Sequence, residues 1–187
     1  MGFLVKSKKT TFYSRRANYA GSWYDASSDQ LDAILEQFLR DATTNEENSP
    51  SGGAVRSLVA PHAGYAYSGP TAAHAYRVLH DALKEDTTIL VLHPSHYVSL
   101  DGCAVSGASV IETPLGNLNV NFDIREEILS SSPLFTVMDK QTDEQEHSGE
   151  LQYPYIRKAV NDVGCESCTI LPIMFPRKRR LANYWHQ

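Results

Sequence analysis

Two histidines stand where side chains commonly do chemistry. His62 lies in Pro61-His62-Ala63-Gly64-Tyr65 and His96 in Pro94-Ser95-His96-Tyr97, each just past a short apolar run of strand length. In an open parallel α/β sheet, ligands bind in the crevice beyond the carboxyl ends of the strands. If the two strands are neighbours, about 4.8 Å apart, both imidazoles open onto one edge and can share an ion or a substrate. Prolines upstream of both histidines, and Gly64 after the first, predict set, irregular backbone. A lone loop histidine is more often a cap or a surface group. Two at equivalent strand ends favour a shared site.

Two imidazoles with one oxygen ligand would have the composition of the facial site of non-haem Fe(II) oxygenases, and zinc is equally compatible with these ligand types. A metal site needs a third group. His147, Glu146 and His93 are the candidates, and spacing does not choose among them. The acidic run Asp143 to Glu150 around His147 can set a histidine tautomer or supply acid–base groups. Acidic residues before a helix also simply favour its N-terminus, so both readings stand. His74 and His80, inside a helical stripe, and His186, near the end, are assigned no chemistry. Cys165-x-x-Cys168 has metal or redox spacing, but no second pair completes a zinc site. Reduced thiols at a strand entrance are expected there.

The elements that must position these groups follow from periodicity. Leu31, Ile34, Leu35, Phe38 and Leu39 give one apolar helix face, with Ser27 and Gln30 as a capping box. Residues 43–53 read as a polar loop. Residues 54–60 (AVRSLVA) read as a strand, 61–70 as a loop, and Ala72, Ala75, Tyr76, Leu79 and Leu83 as a helix stripe. Thr88 to Leu92 is β-branched and continuous, as in a strand buried on both faces. This order predicts a βαβ unit with a parallel pair. Further expectations are strands at Cys103–Ser106, Asn117–Val120 and Thr169–Met174. Helices are expected from Ile124 to Leu129, capped by Asp123, and from Ser148 to Val160, interrupted near Pro154.

The chain has 187 residues, 42% of them hydrophobic and 21% charged, which is ordinary for a soluble globular domain. A net charge of −5 argues against nucleic-acid backbone as a partner. Basic residues crowd positions 1–16 and the block Arg177 to Arg180. Solvated, flexible ends are the favoured reading, with an anionic-surface or nuclear-import patch as the alternative. Gly2 followed by Lys6 to Lys9 only loosely fits a myristoylation signal, since Ser7 falls one place late. No run is long and apolar enough to span a membrane, and no secretory signal is visible. A cytoplasmic location, with a nuclear one also open, is the expectation.

Five motifs in order resemble one family. They are Ala20-Gly21-Ser22-Trp23-Tyr24, Pro61 to Gly69, Pro94-Ser95-His96, Thr113-Pro114-Leu115-Gly116, and Asp143 with Glu146-His147-Ser148 to Glu150. Together they are similar to the Memo family over residues 17–173. The resemblance implies a three-layer α/β sandwich around a central mixed sheet, shared with the class III extradiol dioxygenases. It implies iron or copper binding with redox consequences, phosphotyrosine-peptide binding, and a role in cell-motility signalling. By motif match, His62 and His96 correspond to metal-site residues, and Trp23 and Tyr67 to residues lining the same pocket. Glu146, His147 and His93 are candidates to support the ligands.

This chain departs from the family pattern in several places. Members are considerably longer, and the segment that carries the family's third metal ligand, a cysteine, has no counterpart here. Cys165 and Cys168 lie in the wrong region to replace it. Residues 17–175 therefore read as an incomplete Memo-like domain, flanked by the basic segments 1–16 and 176–187. His93 stands where the family usually has glycine. Gly149 stands where it usually has an apolar residue and should weaken a helix start by roughly 0.5–1 kcal/mol. Metal or peptide binding, or weak redox activity, is favoured over ring cleavage. An active extradiol-type dioxygenase and a fragment without independent activity are the alternatives.

Overall fold

In this computed structural model, residues 12–42 and 55–176 are described. The expectations for the basic N-terminal residues, the polar loop after position 42, and the basic C-terminal segment with His186 lie outside them. The first strand, β1 (Tyr13–Arg15), ends in a buried arginine. Helix α1 (Ser28–Asp41) starts as its cap predicts, with Ser27 accepting from the Gln30 amide. Its buried Leu31 and Leu35 face helix α2 (Tyr65–Ala82). Gly69 lets the two helices approach, since a Cβ there would lie 2.5 Å from the Phe38 ring.

Helix α2 begins earlier than its sequence suggests and contains Pro70. The expected loop to residue 70 is therefore wrong beyond Gly64. Pro70 removes one amide, but it and Ala66 both face solvent, where water can take the freed carbonyl. Strand β2 (Thr88–Pro94) follows. The sheet continues with β3 (Cys103–Val105), β4 (Ala108–Ile111) and β5 (Leu118–Val120). Helix α3 (Phe122–Ser131) takes its cap from Asn121 rather than from the expected Asp123. Asn121 has extended backbone and its side chain accepts from the Ile124 amide, so Asp123 falls inside the first turn.

Strand β6 (Phe135–Val137), short helices α4 (Lys140–Gln145) and α5 (His147–Glu150), helix α6 (Tyr153–Val163) and strand β7 (Thr169–Phe175) complete the order. The expected interruption near Pro154 falls between α5 and α6, and Pro154 sits in the first turn of α6, where its missing amide costs nothing. Helix α6 ends at Gly164 in the left-handed region, φ 73°. That turn brings Cys165 and Cys168 to a Cα separation of 5.5 Å, within disulfide range. The two are bonded, which overturns the expectation of reduced thiols, while Cys103 remains free.

The seven strands form one curled mixed sheet, in the order β1-β4-β5-β7-β3-β6, with β2 paired along the other side of β7. Helices α1, α2 and α6 pack on one another, and α3 packs against β6. The expected strand at 54–60 does not form over its described residues 55–60, so β2 pairs with β7 instead of with that segment. Nor is β2 buried on both faces: Val91 and His93 are buried, but Leu90 and Leu92 are 48% and 59% exposed. A continuous apolar run cannot by itself tell a central strand from an outer one.

Arg15 fastens β1 to the segment that follows β6. Its guanidinium is 1% exposed and bonds Asp143 Oδ1 at 3.1 Å and Glu150 Oε2 at 2.6 Å. It also donates to the backbone oxygen of Glu146 at 2.8 Å. Removing one partner of such a network strands the others without a counter-charge. Arg15→Met should therefore cost about 3–5 kcal/mol, read as a lower urea midpoint with an unchanged slope.

Candidate metal centre

Three histidines arrive at one place from three segments. His62 ends the irregular stretch before α2, whose first amide, Tyr65 N–H, donates to the Trp23 carbonyl at 2.8 Å. His96 follows β2, and His147 opens α5. The ring centroids are 5.2 Å apart for His62 and His96, 5.7 Å for His62 and His147, and 4.4 Å for His96 and His147. One nitrogen from each ring lies within 4.8 Å of the others, so the three could hold a metal ion together. Of the three candidates for a third ligand, His147 is the one whose ring nitrogen lies with those of His62 and His96.

Glu146 organises the cluster. Its Oε2 accepts from the His96 amide at 2.6 Å, and its Oε1 lies 2.8 Å from His96 Nδ1 and 3.0 Å from the Ser148 amide. With Nδ1–H donating to the carboxylate, His96 keeps the Nε2 lone pair free for a ligand role. Burial opposes the Glu146 charge, but the bonds from Ser148 and His96 prevail and hold its pKa down at about 2. His147 Nδ1 is 3.5 Å from Glu146 Oε1, too long for a hydrogen bond, and it is a buried nitrogen without a hydrogen-bond partner. Such an orphaned donor atom suits a metal. Burial, and then the neighbouring His96 charge, lowers the His62 pKa; burial likewise lowers that of His147. Both effects favour the neutral imidazole that ligation requires.

Aromatic rings wall the site. Trp23 packs 4.7 Å from His147, with the Tyr19 and Tyr97 rings each 5.9 Å from it. Tyr19 and Tyr97 carried no signal in the sequence beyond their proximity to motif residues. Tyr67, also expected in the pocket, sits 87% exposed on the first turn of α2 and makes no ring contact with the histidines.

His93 lies behind the site rather than in it. It is 3% exposed, its Nδ1 is 3.0 Å from Ser148 Oγ, and its Nε2 has no partner. Gly149 makes room for it: a Cβ there would lie 3.0 Å from the His93 ring and 2.6 Å from the Tyr153 hydroxyl. The glycine that looks like a poor helix start is thus required by packing. The acidic run divides between roles that its sequence leaves open. Asp143 and Glu150 neutralise Arg15, Glu144 accepts from the Arg16 amide, and Glu146 serves the histidines.

Comparison with known proteins decides the family. The model of the Memo-like protein family matches residues 15–182. The chain belongs to the Memo family. It is 40% identical over 162 residues to the memo-1 homologue of Caenorhabditis elegans, covering 87% of this chain and 43% of that protein. It is 39% identical over 160 residues to MEMO1 of Homo sapiens and of Xenopus laevis, covering 86% of this chain and 50% of each. This Memo chain thus spans about half the length of these relatives. No helix among its described residues is long and apolar enough to cross a membrane.

Burial pushes the His93 pKa from 6.5 down to about 4, so the folded state takes up its proton later than the unfolded chain does. The contribution to stability is complete above the unfolded value and is lost as pH falls toward 4. From this group, stability should drop by about 2 kcal/mol between pH 7 and pH 5. His93→Gln should flatten urea stability over that range by about the same amount; an unchanged slope would contradict the assignment.

Proposed function

We propose that this Memo protein binds a divalent metal ion, iron or copper, through His62, His96 and His147. The observation that supports it is the convergence of three imidazole nitrogens, one from each ring, within 4.8 Å of one another. A bound iron or copper ion would supply one-electron redox chemistry at this position. The chain's own residues do the rest. Glu146 fixes the His96 tautomer and adds a negative charge behind the ligands, while burial keeps His62 and His147 unprotonated. Metal-dependent redox control in cell-motility signalling is the reading preferred over extradiol ring cleavage.

Anaerobic titration with Fe(II), followed by competition with a chelator, tests the site. One ion per chain is expected. Glu146→Gln should weaken binding by about 10–100-fold, and His147→Ala by more. Binding that is indifferent to His147→Ala would remove it from the ligand set. New visible absorbance from a catechol, given Fe(II) and oxygen, would instead favour the dioxygenase.

A second role, docking of a phosphotyrosine peptide from a signalling partner, is supported by the Trp23 ring against His147, with Tyr67 exposed nearby in sequence to His62. Trp23→Ala should abolish peptide binding in a fluorescence-anisotropy assay. Full retention would take the peptide away from this pocket.

A further inference from the structure

His62 is the ligand that the hydrogen bonds around Glu146 do not reach. His96 bonds Glu146 through its ring and its amide, and His147 is the next residue along the chain. The His62 ring makes no hydrogen bond among the described residues and sits in the irregular stretch 55–64 before α2. A metal ligand has to be held within about 0.5 Å of its working position. Another group must place this one.

The side chain of Gln152 has the bonds to do so. Gln152 stands between α5 and α6, as the N-cap residue of α6. Its Nε2 donates at 3.2 Å to Pro61 O, the carbonyl that precedes His62. The same nitrogen lies 3.5 Å from Ser148 O, on the residue that follows His147. Its Oε1 accepts a short hydrogen bond from the Tyr76 hydroxyl. Carbonyls can only accept, so the carboxamide has one workable orientation. Both of its N–H hydrogens face the two ligand-bearing segments, and its oxygen faces Tyr76.

Tyr76 is a firm anchor for that oxygen. It is 3% exposed on α2 and stacks on Tyr155, with ring centroids 4.7 Å apart and planes 6° from parallel. The Tyr155 hydroxyl donates back to Gly69 O of α2 at 2.7 Å. One amide group thereby closes a circuit from α2 through Tyr76 and Gln152 to Pro61, and through His62 to the start of α2. Leu58 and Ala60 pack on the core, and the Tyr65 amide is held by Trp23, but Gln152 is what grips the peptide that joins Pro61 to His62.

We propose that Gln152 is a positioning residue of the metal centre: through the Pro61 carbonyl it holds His62 within reach of an ion shared with His96 and His147. This rests on the metal-binding reading above and assigns the residue that completes its ligand set. Gln152 acts through His62 and supplies no ligand atom itself.

Chelator-competition titrations of the whole chain with Cu(II) and Zn(II) test it, with electron paramagnetic resonance of the copper form to report its nitrogen ligands. Gln152→Met keeps the length of the side chain and removes its hydrogen bonds. It should bind either ion about 10-fold more weakly than the parent, with a copper spectrum displaced toward that of His62→Ala. In a His62→Ala background the same change should cost nothing further, because no ring is left to position. Tyr76→Phe removes only the hydroxyl that Gln152 accepts from, and should weaken binding in the same direction by less. It decides the matter if Gln152→Met does not unfold cooperatively. Parent-like affinity and spectrum in the deciding variant overturn the assignment. A loss that persists in full without His62 overturns it as well, since it marks a general loosening of the fold. A parent chain that takes up neither ion removes the histidine site and this inference together.

Discussion

A buried guanidinium is the constraint on which the rest of this structure depends. Arg15 has left water, and its charge is tolerable only because Asp143 and Glu150 neutralise it and the Glu146 carbonyl takes another of its hydrogens. The carboxylates are themselves tied: Tyr13 and Ser106 donate to Asp143, and Tyr24 and the Tyr19 amide donate to Glu150. One cation thereby joins the first strand, the loop that carries Trp23, and the helices α4 and α5. Such a network cannot be loosened one member at a time without leaving a buried charge unpaired.

The candidate site hangs from that clamp. Glu146 is gripped through its backbone by Arg15, while its carboxylate grips the His96 amide and ring. The next residue is His147, and the one after, Ser148, bonds both the Glu146 carboxylate and the Pro94 carbonyl at the end of β2. Two of the three imidazoles are thus fixed by a short chain of hydrogen bonds that begins at Arg15, far away in sequence. The third, His62, is held on one side through the Pro61 carbonyl, which accepts from Gln152, and on the other through α2 and the Trp23 carbonyl.

Much of this was legible in the residues, though not always for the right reason. The pairing of His62 with His96 was expected from adjacent parallel strands, yet residues 55–60 form no strand, and the two rings meet because α2 and β2 bring them there. Amphipathic spacing located α1 well, because a helix face has to match a core. It missed β1, β4, β6 and α4, each of six residues or fewer, which carry too little period to read. Which of His147, Glu146 and His93 joins His62 and His96 was illegible because it depends on how the start of α5 and the end of β2 meet in space. Gly149 shows the same limit: its cost to a local helix is readable, but the Tyr153 hydroxyl and His93 ring that exclude a side chain belong to tertiary packing.

The most direct test of this account is X-ray absorption at the metal edge of the chain loaded with one equivalent of Zn(II). Three imidazole nitrogens at about 2.0–2.1 Å, falling to two in His147→Ala, are predicted. A first shell containing sulfur, or one without imidazole scattering, would contradict the three-histidine centre.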